Sequence, residues 1–285
     1  MNAMEEHCRD LLQNWRQQLN LNRREQGLLA GALKLLDRQL ERLQTGTLRI
    51  SVFGRVGVGK SSLVNALLGQ KLMATDVAHG CTRQQQAVSW PRAVAGLQKV
   101  ELVDTPGIDE VDAPARARLA ARVALHADLV LLVLDADVTR GELEALDTLQ
   151  TMGKPVLTVL NRCDCWPEDQ LPDLLRSIRS RLPAGLPPPL AVSAAPRQAV
   201  QLNDGRIRSR EQPADVGELE IGLCRLLERR GHSLLLLNSL RQATAIQQQL
   251  ETGRLQRRRR EAQSLIGRYA ALKATGVAAN PLMLL

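Results

Sequence analysis

The chain has 285 residues, 44% hydrophobic and 24% charged, which is enough to bury a core and excludes a disordered or fibrous protein. Its longest apolar runs are LVLLVL at 129–134 and LLLL at 234–237, well short of the ~18 residues a membrane-spanning helix needs. The net charge of +8 is uneven, because residues 228–285 hold ten Lys/Arg against three Asp/Glu while residues 48–227 hold 21 of each, and a basic tail of this kind suits an anionic partner.

The N-terminus MNAMEEHCRD carries acidic residues and no apolar leader, so a cytoplasmic location is expected. Five cysteines without framework spacing agree with that address, and the pair Cys163 and Cys165 has no second pair to complete a zinc site. Residues 1–47 read as a helical arm. Leu29, Leu33, Leu36, Leu40 and Leu43 repeat at 4,3,4,3 spacing, and Leu12, Trp15 and Leu19 precede a break at Asn20 to Asn22. Gly46 is the expected stop.

From 48 to 230 short β-rich runs alternate with helical stretches, the pattern of a parallel sheet wrapped by helices. Strands are expected near 48–53, 86–90, 98–103, 128–134, 155–160 and 189–193, and helices near 60–69, 114–126, 140–152, 168–182 and 215–230. The stretches LPAGLPPPL (182–190) and RQAVQLNDGRIRSREQP (197–213) read as loops. After Gly231 a basic C-terminal region, 231–285, turns helical again with Leu240, Ala243, Ile246 and Leu250. Ala262, Leu265, Ile266, Tyr269 and Leu272 follow, beyond an interruption at Arg257 to Arg260. The leucine stripes of arm and tail predict an antiparallel helical pair.

Behind the first strand comes GRVGVGKS, Gly54 to Ser61, and then the helical SSLVNALLG. Strand, glycine-rich loop and helix follow in the order that cradles phosphates, with backbone N–H groups and the helix dipole aimed at the anion. Lys60 would bridge the β- and γ-phosphates of a nucleotide, and the Ser61 hydroxyl would bind Mg²⁺. DTPG, Asp104 to Gly107, ends the apolar strand KVELVD. There a carboxylate can hold Mg²⁺ through water, and the Gly107 N–H can meet a γ-phosphate that leaves on hydrolysis. Between the two, GCTR (80–83) supplies Thr82 as the hydroxyl completing the metal shell, with Thr75 as the alternative.

NRCD, Asn161 to Asp164, follows the strand PVLTVL. Asp164 can accept from the N1–H and N2–H₂ of guanine, donors that adenine lacks, and the Arg162 stem can lie along the purine. AVSAA, 191–195, would bring the backbone of Ser193 and Ala194 to the guanine O6.

In this order over about 140 residues, GRVGVGKSS, GCTR, DTPG, NRCD and VSA resemble the five G motifs of the Era/TrmE-like, translation-factor-related GTPases. The resemblance covers 48–230. It implies a P-loop G domain of three α/β/α layers around a six-stranded, mostly parallel sheet, with helical extensions at both ends. It also implies Mg²⁺-GTP binding, slow GTP hydrolysis and two switch loops. Carried over by position, Gly54, Arg55, Val56, Gly57, Val58, Gly59, Lys60, Ser61 and Ser62 hold phosphate. Asp104, Thr105, Pro106 and Gly107 sense it, while Ser61, Thr82 and Asp104 serve the metal. Asn161, Arg162, Asp164, Ser193 and Ala194 take the base, and Lys60, Thr82 and Gly107 form the catalytic set.

Two departures are visible. Gly57 stands where potassium-activated members carry an asparagine, so potassium dependence does not follow from the resemblance. Ile108 stands where Ras-like GTPases carry a water-orienting glutamine, so hydrolysis must lean on backbone, Mg²⁺, another residue, an activating partner or a dimer. The tail has no GxxG of an RNA-binding KH domain and only Tyr269 as an aromatic, which disfavours RNA or ribosome binding. It looks instead like the opening of the membrane-associated helical domain that follows some bacterial G domains. The expected function is a regulatory GTPase, cytoplasmic or peripheral on an anionic membrane. A GTP-binding scaffold with little hydrolysis, a ribosome assembly GTPase and a dynamin-like protein are the alternatives.

Overall fold

The computed structural model describes residues 3–73, 86–108, 113–201 and 207–278. Among these residues eight strands and seven α-helices succeed one another: α1 (Ala3–Gln18), α2 (Arg23–Thr45), β1 (Thr47–Gly54), α3 (Lys60–Leu68), β2 (Gln86–Ser89), β3 (Lys99–Asp104), α4 (Ala113–His126), β4 (Leu129–Leu134), α5 (Arg140–Thr151), β5 (Val156–Leu160), α6 (Leu171–Arg181), β6 (Leu190–Ala191), β7 (Arg197–Gln201), β8 (Ile207–Glu211) and α7 (Gly217–Ala278). The main sheet has the order β2-β3-β1-β4-β5-β6. Only β2 runs antiparallel to its neighbour. All six strands lie where the apolar runs predict them, and the sheet is six-stranded and mostly parallel.

Alternation along the central strands fills both faces. Leu129, Leu131 and Val133 of β4 enter one core with the helical arm, α3 and α7, whereas Val130, Leu132 and Leu134 enter a second core with α4, α5 and α6. Every residue of β4 is buried, as expected of a central parallel strand covered by helices on both sides. The strand crossovers run to both sides of β1, and the loops at the carboxyl ends of β1, β3 and β4 therefore share one crevice.

The break in the arm is a helix start. Asn22 caps α2, its side chain accepting from the Glu25 N–H at 3.0 Å while Glu25 returns a bond to the Asn22 N–H at 3.1 Å, a capping box. Gly46 ends α2 with φ of 62°. The arm packs antiparallel on α7: Glu25 near the start of α2 meets Arg254 late in α7, and Gln39 further along α2 meets the Leu235 carbonyl early in α7. Leu29, Leu33, Leu36, Leu40 and Leu43 are buried there with Leu235, Ala243, Ile246 and Leu250.

Two stretches differ from the sequence expectation. The segment read as a loop from 197 to 213 contains the antiparallel hairpin β7–β8, with Arg197 opposite Glu211 and Gln201 opposite Ile207. Its strands are largely exposed and carry no apolar period, so nothing in the hydrophobic pattern marked them. The helix expected to stop near 230 runs through Gly231 to Ala278. A glycine in a helix costs about 1 kcal/mol, and burial of Leu227 on one side and Leu235 on the other outweighs it.

Candidate functional site

The loop between β1 and α3 curls because its glycines reach backbone angles that other residues avoid. Gly54, Gly57 and Gly59 have φ of 155°, 81° and 88°. A Cβ at Gly59 would lie 2.4 Å from the Asn161 amide, so a side chain there would push the guanine motif off the phosphate loop. Lys60 folds over the loop, its Nζ donating to the Arg55 carbonyl at 2.7 Å. Val58 is fully buried beneath it, and Val56 projects outward.

Ser61 Oγ donates to Asp104 Oδ2 at 2.6 Å, bringing the two proposed metal oxygens together from residues 43 apart in sequence. A hydroxyl and a carboxylate are hard oxygen donors of the kind Mg²⁺ takes, so the residues present fit that ion. Thr82 and Thr75 lie outside the described residues. Within DTPG, the Thr105 hydroxyl donates to the Val52 carbonyl at 2.8 Å, which pins the loop to the end of β1. Gly107 sits so close to the P-loop that a Cβ there would come within 2.2 Å of Val56 Cγ2. Ile108 is fully buried in the second core with Phe53, Leu119 and Val123, so its side chain anchors the loop and points at no water.

The base motif is built on the buried Asn161. Its Nδ2 donates to the Val58 carbonyl at 2.9 Å and its Oδ1 accepts from the Ala194 N–H at 3.0 Å. One side chain thus ties the phosphate loop, β5 and the loop after β6. A 3₁₀ turn, Cys163–Cys165, then presents Asp164, whose N–H donates to Ser193 Oγ at 3.0 Å and whose carboxylate faces solvent. Burial pushes both the Cys163 and the Cys165 thiols above their ordinary pKa, which keeps them protonated beside the pocket.

A cleft of about 700 Å³ runs from the end of the phosphate loop to the base motif, within the usual size range of small-molecule sites. Gly59, Ser62, Asn161, Arg162, Asp164 and Ala194 line it. Apart from Thr82, the sequence-predicted site residues sit in four segments, after β1, β3, β5 and β6, although Asn161 and the Ala194 N–H serve the scaffold. Sequence reasoning missed Arg197, Glu211 and Gln212 at the base of the hairpin, which also border the cleft. It also missed Asp135 and Glu142, which bind Arg55 at 2.7 and 2.9 Å. Asp135 directly follows β4, and that strand-end position was the available signal.

Fold and site together define a P-loop GTPase domain, and the comparisons give its kind. Residues 49–162 match the family model described as 50S ribosome-binding GTPase, and residues 241–285 match one described as a domain of unknown function, DUF697. The chain is 37% identical over 149 residues to the tRNA modification GTPase MnmE of Syntrophotalea carbinolica, covering 48% of this chain and 32% of that one. It is 34% identical over 143 residues to GTPase Era of Geobacter metallireducens, covering 47% and 46%. Against GTPase Der of Deinococcus deserti the figures are 32% over 166 residues, 53% and 37%. A crystal structure of Aquifex aeolicus Era bound to GDP and aluminium fluoride superposes with a TM-score of 0.48 at 24% identity, covering 63% of this chain and 56% of that one. The chain carries an Era/TrmE-like GTPase domain, and its match spans less than half the length of each of these curated relatives.

Proposed function

We propose that the chain binds Mg²⁺-GTP across the P-loop and DTPG, hydrolyses it slowly to GDP and phosphate, and passes the nucleotide state to its flanking helices. The observation that carries this reading is the Ser61 to Asp104 contact at 2.6 Å, beside the loop over which Lys60 is folded. Lys60 neutralises charge on the β- and γ-phosphates, and the Gly107 N–H donates to the γ-phosphate. Asp164 accepts both guanine donors, an arrangement that rejects adenine by roughly 10⁴ to 10⁵. Ser61, Asp104 and Thr82 form the ligand set for Mg²⁺, which when bound spreads the charge that develops on the phosphate oxygens.

With Ile108 buried and Thr105 bonded to Val52, no side chain of DTPGI orients the attacking water. The unaided rate should accordingly be low, ~10⁻⁴ to 10⁻² s⁻¹ as for related unassisted GTPases. Single-turnover phosphate release from the purified chain tests this. Release at that rate in sodium buffer, without further gain in potassium, supports the reading, and no release with any partner added makes the chain a GTP-binding scaffold. Lys60→Ala should weaken nucleotide binding by roughly 2 to 5 kcal/mol, and unaltered GTP affinity would sink the P-loop assignment.

One observation favours a second element of function, contact with an anionic membrane from the cytoplasmic side. Beyond Arg257, the last residue of α7 seen bound to the arm, the helix stands exposed to residue 271, and Leu255, Leu265, Ile266 and Tyr269 are each more than 60% accessible. Arg258, Arg259 and Arg260 flank that stripe, and each arginine near an acidic leaflet contributes about 1 kcal/mol. No helix among the described residues is long and apolar enough to cross a membrane, so the contact would be peripheral. Pelleting with phosphatidylserine vesicles but not with RNA supports it, and the reverse result favours a ribosome or RNA role.

A further inference from the structure

Asp135 follows the last residue of β4, and its carboxylate lies between arginines from two different motifs, one of which, Arg162, lines the cleft. Oδ1 accepts from Arg55 Nη2 at 2.7 Å, and Oδ2 lies 3.6 Å from Arg162 Nη1. Its carbonyl accepts from the Trp166 indole N–H at 3.4 Å, so the neighbouring turn is tied to the same residue.

Arg162 has φ of 61°, the one positive value outside glycine among the described residues. An L-residue holds that angle only where its surroundings over-determine it, and such outliers gather at functional sites. Here the next two residues are fixed: the Cys163 N–H donates to the Val192 carbonyl at 3.1 Å and the Asp164 N–H to Ser193 Oγ at 3.0 Å. Arg162 lines the cleft beside Asp164 while its guanidinium reaches the Asp135 carboxylate. The side chain is half exposed, and a long arginine without an anchor would leave the cleft wall for solvent.

The two arginines depend on Asp135 unequally. Arg55 also binds Glu142 Oε1 at 2.9 Å, and Glu142 is fully buried where it caps α5. Among the described residues Asp135 is the ion partner of Arg162, so loss of its charge falls on the base wall more than on the phosphate loop. It would also leave two guanidinium groups near one another with less negative charge between them.

We propose that Asp135 is a positioning residue for the purine: it anchors the Arg162 guanidinium so that the aliphatic stem stays against one face of the base, and it shares that anchor with the P-loop through Arg55. The assignment rests on the guanine-nucleotide reading above. Asp135→Asn removes the charge and keeps the size. Affinities for GDP and inosine diphosphate should then fall by the same factor, about tenfold, because the stem meets a purine face that both share. Inorganic pyrophosphate, competing for the P-loop alone, should bind as it does to the parent. In an Arg162→Ala background Asp135→Asn should add no further loss.

Parent-like GDP affinity in Asp135→Asn, an equal loss of pyrophosphate affinity, or full additivity in the double variant would each overturn the assignment. Should Asp135→Asn fail to fold, Arg162→Ala alone decides: loss of both nucleotides with pyrophosphate retained supports it, and any other pattern overturns it. A parent chain that binds neither GDP nor GTP defeats the nucleotide reading itself, before any variant is compared, and takes this assignment with it.

Discussion

At the carboxyl ends of the strands, loops with positive-φ glycines present hydroxyl, carboxylate and backbone groups to an open cleft. At the amino ends, polar groups are sealed inside. There the Asp128 carboxylate, fully buried, accepts from Gln39 Nε2 at 3.0 Å, Asn238 Nδ2 at 2.6 Å and the Arg49 N–H at 2.9 Å, with Arg42 Nη1 at 3.5 Å. Lys154 donates to the Ala127 carbonyl at 3.0 Å and also bonds Asn238. Burial, with the Arg241 and Arg42 charges adding and Asp128 opposing, lowers its pKa to about 8. A buried hydrogen-bonded network favours one arrangement of the elements that join in it, here α2, α7, β1 and the turn before β4. One end of the sheet is thus open to solvent, and the other fixes the helices to it.

The largest expected effect breaks the comparison at the cleft. Asp164→Asn should move preference from GTP toward xanthosine triphosphate by roughly 10⁴, because an amide offers a donor to the xanthine O2, and it should leave urea stability near the parent value. Competition titration with the two nucleotides reads the outcome, and retained GTP selectivity would count against the base assignment. At the sealed end the expectation inverts. Asp128→Ala strands Arg42, Gln39 and Asn238 in a buried site, and removal of one partner from such a network costs about 3 to 5 kcal/mol. Urea unfolding should show that loss while GDP affinity of the folded fraction stays within twofold of the parent. A large change in GDP affinity would mean that the network reaches the cleft through β4, whose six residues span about 20 Å.

Leu36→Ala sharpens the same point for packing alone. Leu36 is fully buried between arm and sheet, and deletion of a core leucine costs about 2 to 5 kcal/mol. The loss should appear in denaturant midpoint with the unfolding slope kept. A smaller slope would show that the arm unfolds apart from the G domain.

The two ends were unequally legible in the sequence. The phosphate loop announces itself because backbone curvature needs glycine at fixed places and the flanking strand and helix have strong periods. The six strands follow from their apolar runs, the break inside the arm from Asn20 to Asn22, and its end from Gly46. The Asp128 network was invisible, since it joins Gln39, Asp128 and Asn238 across 89 and 110 residues and each looks like an ordinary surface residue in a string. The same holds for Asp135, a charged residue just past a strand. Asn161 was read as a base contact, whereas the structure gives its amide to Val58 and Ala194, a division that motif order alone does not reveal. The β7–β8 hairpin escaped because backbone pairing, not side-chain burial, defines it.

The smallest effect lies where the arm meets the part of α7 that leaves it. Glu25 sits three residues into α2, buried, with Arg254 at 3.1 Å and Arg257 at 3.0 Å on its carboxylate. The Arg254 hydrogen bond first, then the Asn22 N–H and Arg257, hold its pKa down to about 2 from an ordinary 4.5. A carboxylate depressed in the folded state adds stability above the unfolded value, and that stability is lost as pH falls through the folded one. The contribution of Glu25 should therefore be complete above about pH 4.5 and disappear between 4.5 and 2. Amide protection factors, corrected for the intrinsic pH dependence of exchange, should fall over that window in the first turn of α2 and around Arg254 in the parent, and in Glu25→Gln they should be low at neutral pH and flat through the acid range. If Glu25→Gln instead keeps the parent's protection and the parent's acid transition, other carboxylates control this junction, and α7 is held to the arm by the leucine stripe that ends at Leu250.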